Sequence, residues 1–139
     1  NNKVLLSEDN KESVICSRSD GIGLSLLRKN GIKLFVISTE KNVVVKLRCK
    51  KLNIDCIQGV ANKAEVINNL LEEYNFKKEH SCFMGNDIND IPAFKSVKLR
   101  VGVYDRHPEI DKYIDCVTFN KGGDGAVREL CDIFYKNTH

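Results

Sequence analysis

Residues 81–94 read SCFMGNDINDIPAF. An apolar run rises to Gly85, and an amide and two carboxylates follow at Asn86, Asp87 and Asp90. A proline and a new apolar group come next. The run suits a buried strand, the glycine suits a strand end, and NDIPAFKSV suits a short helix. Two like charges three residues apart repel each other. They are turn and cap residues, or they share a divalent cation.

The same grammar repeats on either side. IKLFVIS is a short apolar strand, EKNVVVKLRCKKLN a helix, IDCIQG a strand, and NKAEVINNLLEEYN a helix with Val66, Leu70 and Tyr74 among its inward candidates. Downstream, LRVGV, HPEIDKY, IDCVTF and DGAVRELCDIFYKN read as strand, short helix, strand and helix. Upstream, DGIGLSLLRKNG carries an apolar stripe at Ile22, Leu24, Leu26 and Leu27 and closes at Asn30-Gly31. Before it, β-rich runs at 3–7 and 12–17 flank a polar turn and predict a hairpin. Strands alternating with helices over short connections specify an α/β domain with a mainly parallel sheet and helices on both faces. No repeat, linker or low-complexity tract divides the chain, so a single domain over residues 1–139 is expected.

The totals exclude several classes. The 139 residues are 42% hydrophobic and 29% charged, with a net charge of +3 spread along the chain. There is no basic block or aromatic-basic platform for nucleic acid. No apolar run approaches the roughly 20 residues that span a membrane. With no signal-peptide pattern, a cytoplasmic protein is expected. Six cysteines, at 16, 49, 56, 82, 116 and 131, form no CxxC pair and have no histidine at ligand spacing. Most stand among Val, Ile and Phe, which predicts buried reduced thiols. His80, His107 and His139 read as surface residues.

In open α/β sheets chemistry collects at the carboxyl ends of the strands. Those ends carry Ser38 and Thr39, the approach to Lys63, the cluster Asn86, Asp87 and Asp90, and FNKGGDG. A hydroxyl, an ammonium and hard oxygen donors on one rim suit a phosphate ester with Mg²⁺. Taken singly, each is an ordinary feature: a helix cap, a solvated lysine, a turn carboxylate.

In order, DGIGLSLLRKNGIKLFVISTEKN, QGVANK, MGNDINDIPAF and HPEIDKYIDCVTFNKGGDGAVREL resemble the haloacid dehalogenase (HAD) superfamily. They are most similar to its 3-deoxy-manno-octulosonate-8-phosphate phosphatase branch, which also supplies a C-terminal domain of many acylneuraminate cytidylyltransferases. The resemblance implies a three-layer Rossmann-like HAD fold with an N-terminal β-hairpin flap. It implies phosphate binding and catalysis by Ser38 and Lys63, with Thr39 in support, and Mg²⁺ binding by Asp87, Asp90 and Asn86. Asn86 stands where many members carry a metal-binding Asp. Arg128 falls on a C-terminal segment that reaches an active site in this branch, or else faces solvent. A phosphorylated eight- or nine-carbon sugar acid is the implied substrate, and a homotetramer the implied assembly. The family's first motif, DxDGxxT, holds the attacking Asp. RSDG aligned to it places Arg18 at the nucleophile, and a guanidinium has no electron pair to offer. The nucleophile strand is therefore expected upstream of this chain, and Asp20 is expected as a helix N-cap or as a rim residue near the substrate. The alternative expectation is a non-catalytic tetramerisation module fused behind a cytidylyltransferase domain.

Overall fold

The computed structural model describes residues 4–6, 12–14 and 17–138. Strands β1 (Val4–Leu6) and β2 (Glu12–Val14) form the expected antiparallel hairpin, with Leu5 opposite Ser13. Its outer residues lie outside the described set. The remaining strands run parallel in two pieces. Strand β3 (Phe35–Ile37) pairs with β4 (Asp55–Ile57), Val36 opposite Cys56. Strand β5 (Cys82–Gly85) pairs with β6 (Leu99–Gly102), which pairs with β7 (Cys116–Val117).

The helices are α1 (Arg18–Lys29), α2 (Val43–Leu52), α3 (Lys63–Glu73), α4 (Ile91–Phe94) and α5 (Ala126–Thr138). Ile67 of α3 packs with Ala93 and Val97, and Ile37 of β3 and Phe83 of β5 lie against the same cluster. One core thus serves both pieces of the sheet. Phe94, fully buried, meets Phe83 edge to face at 5.5 Å. Parallel strands alternating with helices make this an α/β fold, as expected. Among the described residues no helix is long and apolar enough to cross a membrane.

Several details differ from the sequence reading. Helix α1 starts three residues early, because Ser17, not Asp20, is its N-cap: the Ser17 hydroxyl accepts from the Asp20 N–H at 3.4 Å. Ile22, expected inside, is 59% exposed. The inward line is Asp20, Gly23 and Leu27, a helical spacing hidden by glycine and a carboxylate. A side chain at Gly23 would meet Arg128 Cδ at 2.9 Å and Cys131 Cβ at 3.0 Å. The two helices approach closely through that missing Cβ. Tyr74 is also not inward. It lies between Phe35 and Phe76 at the surface, while Ile67 takes the buried position. Strand β7 keeps only two residues, and Phe119 is 90% exposed. The chain bends there because the Thr118 hydroxyl accepts from the Tyr104 N–H and donates to the Asn120 carbonyl.

Asp20 is buried, and its Oδ1 accepts the Arg128 N–H at 2.9 Å. The carboxylate sits in the first turn of α1 and also satisfies an orphan donor at the start of α5. Replacing it with Ala is expected to cost about 1–2 kcal/mol. Asp20→Asn, which keeps an acceptor, should cost less. Urea unfolding of both variants checks the order, and equal losses would contradict the bond.

Candidate functional site

Lysine at the first position of a helix opposes the helix dipole, and burying an ammonium adds a desolvation cost. Lys63 does both: it opens α3 and is 8% exposed. The compensation comes from Asp90, itself 3% exposed, whose Oδ1 stands 2.6 Å from Lys63 Nζ. The ammonium also lies 5.8 Å from the Phe83 ring centroid, within reach of its negative face.

The other oxygen of Asp90 organises the loop after β5. Oδ2 accepts the N–H groups of Asn86 at 2.9 Å and Asp87 at 3.2 Å. Asp87 Oδ1 accepts from the Ile88 N–H at 2.7 Å, so the two carboxylates form a reciprocal capping box around the turn Ile88–Asp90. The Asn86 carbonyl receives the His107 N–H at 2.8 Å, and the Gly85 carbonyl the Val103 N–H. Both oxygens of Asp90 therefore already have protein partners, while Asn86 and Asp87 remain half-buried on the loop. Sequence spacing grouped the three together, whereas the fold gives Asp90 to the lysine. Among the described residues no group of three or more His, Cys, Asp or Glu forms a metal cluster.

Ser38 ends β3. Its N–H donates to the Ile57 carbonyl and its carbonyl accepts from Val60. Its hydroxyl oxygen accepts the Glu40 N–H at 3.1 Å. That bond uses a lone pair and leaves the hydroxyl proton available to an incoming oxygen. Thr39 beside it is exposed. The Gly59 N–H binds the Glu40 carbonyl. Backbone bonds thus join the loop of Ser38 to the loop leading into Lys63, and Asp90 joins Lys63 to the loop of Asn86 and Asp87. Ser38, Lys63 and Asn86/Asp87 are linked through one continuous framework.

Two contributors were missed. Phe83 lies under the lysine, and Gly85 makes room for the Asp90 carboxylate, since a Cβ there would come within 2.6 Å of Oδ2. The usable signal was a lysine where the helix dipole disfavours one, which requires a counter-charge nearby. Arg128 is half-buried: its Nε pairs with Asp132 at 2.9 Å, and its stem packs against Gly23. His107, expected as a surface residue, is half-buried and caps a 3₁₀ turn, its Nδ1 accepting from the Glu109 N–H.

The described cysteines are free thiols, and Cys49 and Cys131 are buried as expected; Cys116 is exposed, and Cys16 lies outside the described residues. Burial pushes Cys82 up to about 12 and Cys131 to about 11, from an ordinary 9.0. A thiol that keeps its proton in the folded chain, after the unfolded chain has lost it, makes folding weaker at high pH. The stabilisation is complete below about pH 9 and declines as pH rises toward 11–12. Urea midpoints should fall between pH 8 and 10.5, and fall less in a Cys82→Ala, Cys131→Ala double variant. An identical decline in both proteins would rule the thiols out as its cause.

The sequence pattern of the haloacid dehalogenase-like hydrolase family matches residues 36–130. The 3-deoxy-D-manno-octulosonate 8-phosphate phosphatases of Salmonella typhi and Escherichia coli K12 are each 36% identical over 115 residues, 82% of this chain. The chain spans 61% of the length of these relatives. The Moraxella catarrhalis phosphatase of the same name, solved with magnesium, phosphate and KDO, superposes with a TM-score of 0.92 at 27% identity. The match covers 96% of this chain and 78% of that one. The Yersinia pestis phosphatase gives 0.92 at 29% identity, covering 96% and 73%. With the pattern running from β3 into α5 across every element that carries Ser38, Lys63 and Asp87, this chain belongs to the haloacid dehalogenase-like hydrolase family.

Proposed function

We propose that this domain is the phosphate-holding part of a Mg²⁺-dependent phosphatase acting on a phosphorylated eight- or nine-carbon sugar acid. The observation that carries the reading is the buried 2.6 Å pair of Lys63 and Asp90, built where both helix dipole and burial oppose a lysine. Strained local rules of this kind concentrate at functional sites. The substrate class follows the names of the relatives.

Ser38 donates its hydroxyl proton to one phosphoryl oxygen. Lys63, oriented by Asp90, offers its ammonium to another and offsets charge developing in transfer. The side-chain oxygens of Asn86 and Asp87 are hard donors and fit Mg²⁺, which commonly takes one or two carboxylates and completes its shell with water and phosphate oxygens. Bound there, the ion would supply electrostatic stabilisation of the phosphoryl group. Asp90 supports this site from behind, keeping the backbone of the two donors in place. The attacking carboxylate belongs, in this reading, to a strand outside these 139 residues. It takes the phosphoryl group, releases the sugar alcohol, and is freed by water as inorganic phosphate leaves.

A chain extended upstream to include a DxDGxxT strand should release phosphate from 3-deoxy-manno-octulosonate 8-phosphate or a sialic acid 9-phosphate with Mg²⁺. Lys63→Ala in that chain should lower kcat by about 10²-fold or more. No turnover of either substrate would reject the proposal. The amide at Asn86, a weaker ligand than a carboxylate, favours a second reading: a non-catalytic tetramerisation module behind a cytidylyltransferase domain. That reading expects a tetramer in sedimentation and no phosphate release from the extended chain.

A further inference from the structure

The loops that frame the proposed phosphate site, residues 38–42, 58–63 and 86–90, contain two cations, Lys41 and Lys63, and three acids, Glu40, Asp87 and Asp90. Lys63 is matched by Asp90. Lys41 makes no ion pair among the described residues, and it is exposed. It is nevertheless held. Gly59 adopts a left-handed backbone with φ of 66° and presents no side chain. The stem of Lys41 lies across that bare surface. A Cβ on Gly59 would stand 3.1 Å from Lys41 Cε, 3.4 Å from Cγ and 3.8 Å from Cδ. The two backbones are also tied together there, Gly59 N–H to the Glu40 carbonyl at 3.1 Å and Val60 N–H to the Ser38 carbonyl at 3.1 Å.

A lysine stem laid over a glycine loses part of its freedom, and its exposed ammonium is left uncommitted. Ser38 lies only three residues before it. In the proposed site the phosphoryl group has its own hydroxyl, ammonium and metal donors, so a second cation suits a second anionic group. We infer that Lys41 is a specificity residue that receives a carboxylate on the alcohol portion of the phosphate ester. The inference rests on the proposed phosphate site and adds a recognition element that phosphate binding alone does not need. An exposed ammonium–carboxylate pair supports a modest preference, about fivefold, rather than an absolute requirement.

Titration calorimetry of the full chain with Mg²⁺ and three probes separates the possibilities: inorganic phosphate, glycerol 3-phosphate and 3-phosphoglycerate. The native chain is expected to bind 3-phosphoglycerate about fivefold tighter than glycerol 3-phosphate. Lys41→Ala should bring the two within about twofold, with inorganic phosphate unchanged, and Lys41→Arg should keep most of the preference. Weakening of all three probes by Lys41→Ala would assign the lysine to the phosphoryl group and overturn the inference. A preference that survives in Lys41→Ala would overturn it as well, with the phosphate site intact. Failure of every probe to bind the native chain would remove the phosphate site itself, and the inference with it.

Discussion

Asp90→Ala is expected to destabilise the protein by about 3–5 kcal/mol, the cost of leaving a buried ammonium without its counter-charge. Lys63 and Asp90 are both almost fully buried and stand 2.6 Å apart. Removing the carboxylate also strips two backbone N–H groups, those of Asn86 and Asp87, of their acceptor. The loss should appear as a lower urea midpoint. A second substitution identifies the cause. Lys63→Met in the Asp90→Ala background removes the stranded charge and should recover part of the loss, because an apolar replacement of a buried pair is often tolerated. A double variant no more stable than Asp90→Ala would show that loop geometry, not the orphaned lysine, dominates.

Gly85→Ala attacks the same arrangement from the strand. The added methyl would come 2.6 Å from Asp90 Oδ2, 2.7 Å from Cγ and 2.8 Å from Cβ. No rotation of a flexible tip relieves three such contacts, so the carboxylate is pushed off Lys63. The expected cost is about 2–4 kcal/mol. Because both changes break one set of bonds, Gly85→Ala should cost about 1–2 kcal/mol less when Asp90 is already Ala. Strict additivity would mean that the glycine and the carboxylate do not meet. In the upstream-extended chain, Gly85→Ala should also weaken phosphate release, since Asn86 and Asp87 hang from the same oxygen.

The fold was largely legible because alternation of apolar runs and amphipathic stretches reports directly on β/α order. Every element expected after residue 20 has a counterpart, although HPEIDKY closes as a 3₁₀ turn, Pro108–Tyr113, rather than an α-helix. What escaped was packing that apolar periodicity does not encode. The inward face of α1 is written in Asp20 and Gly23, whose worth lies in a hydrogen bond and in closeness to α5, so the eye followed Ile22 instead. Tyr74 was drawn inward by its size, but it sits past the end of α3, where its ring covers Phe35. In the site, the identity of the polar residues was readable and their division of labour was not. Asp87 and Asp90 look equivalent in GNDIND, and only the path of the turn sends one toward solvent and the other to Lys63.

The bond from Arg128 to Asp20 spans 108 residues. Closing a loop of that length costs about 2 kcal/mol more entropy than closing one of ten residues. Helix α5 therefore gains its seat on α1 only after the intervening strands have shortened the effective distance. The seam between the two helices is therefore expected to form late in assembly. In a growing chain Gly23 and Asp20 stay uncovered until the part of α5 that carries Arg128 and Cys131 has been made.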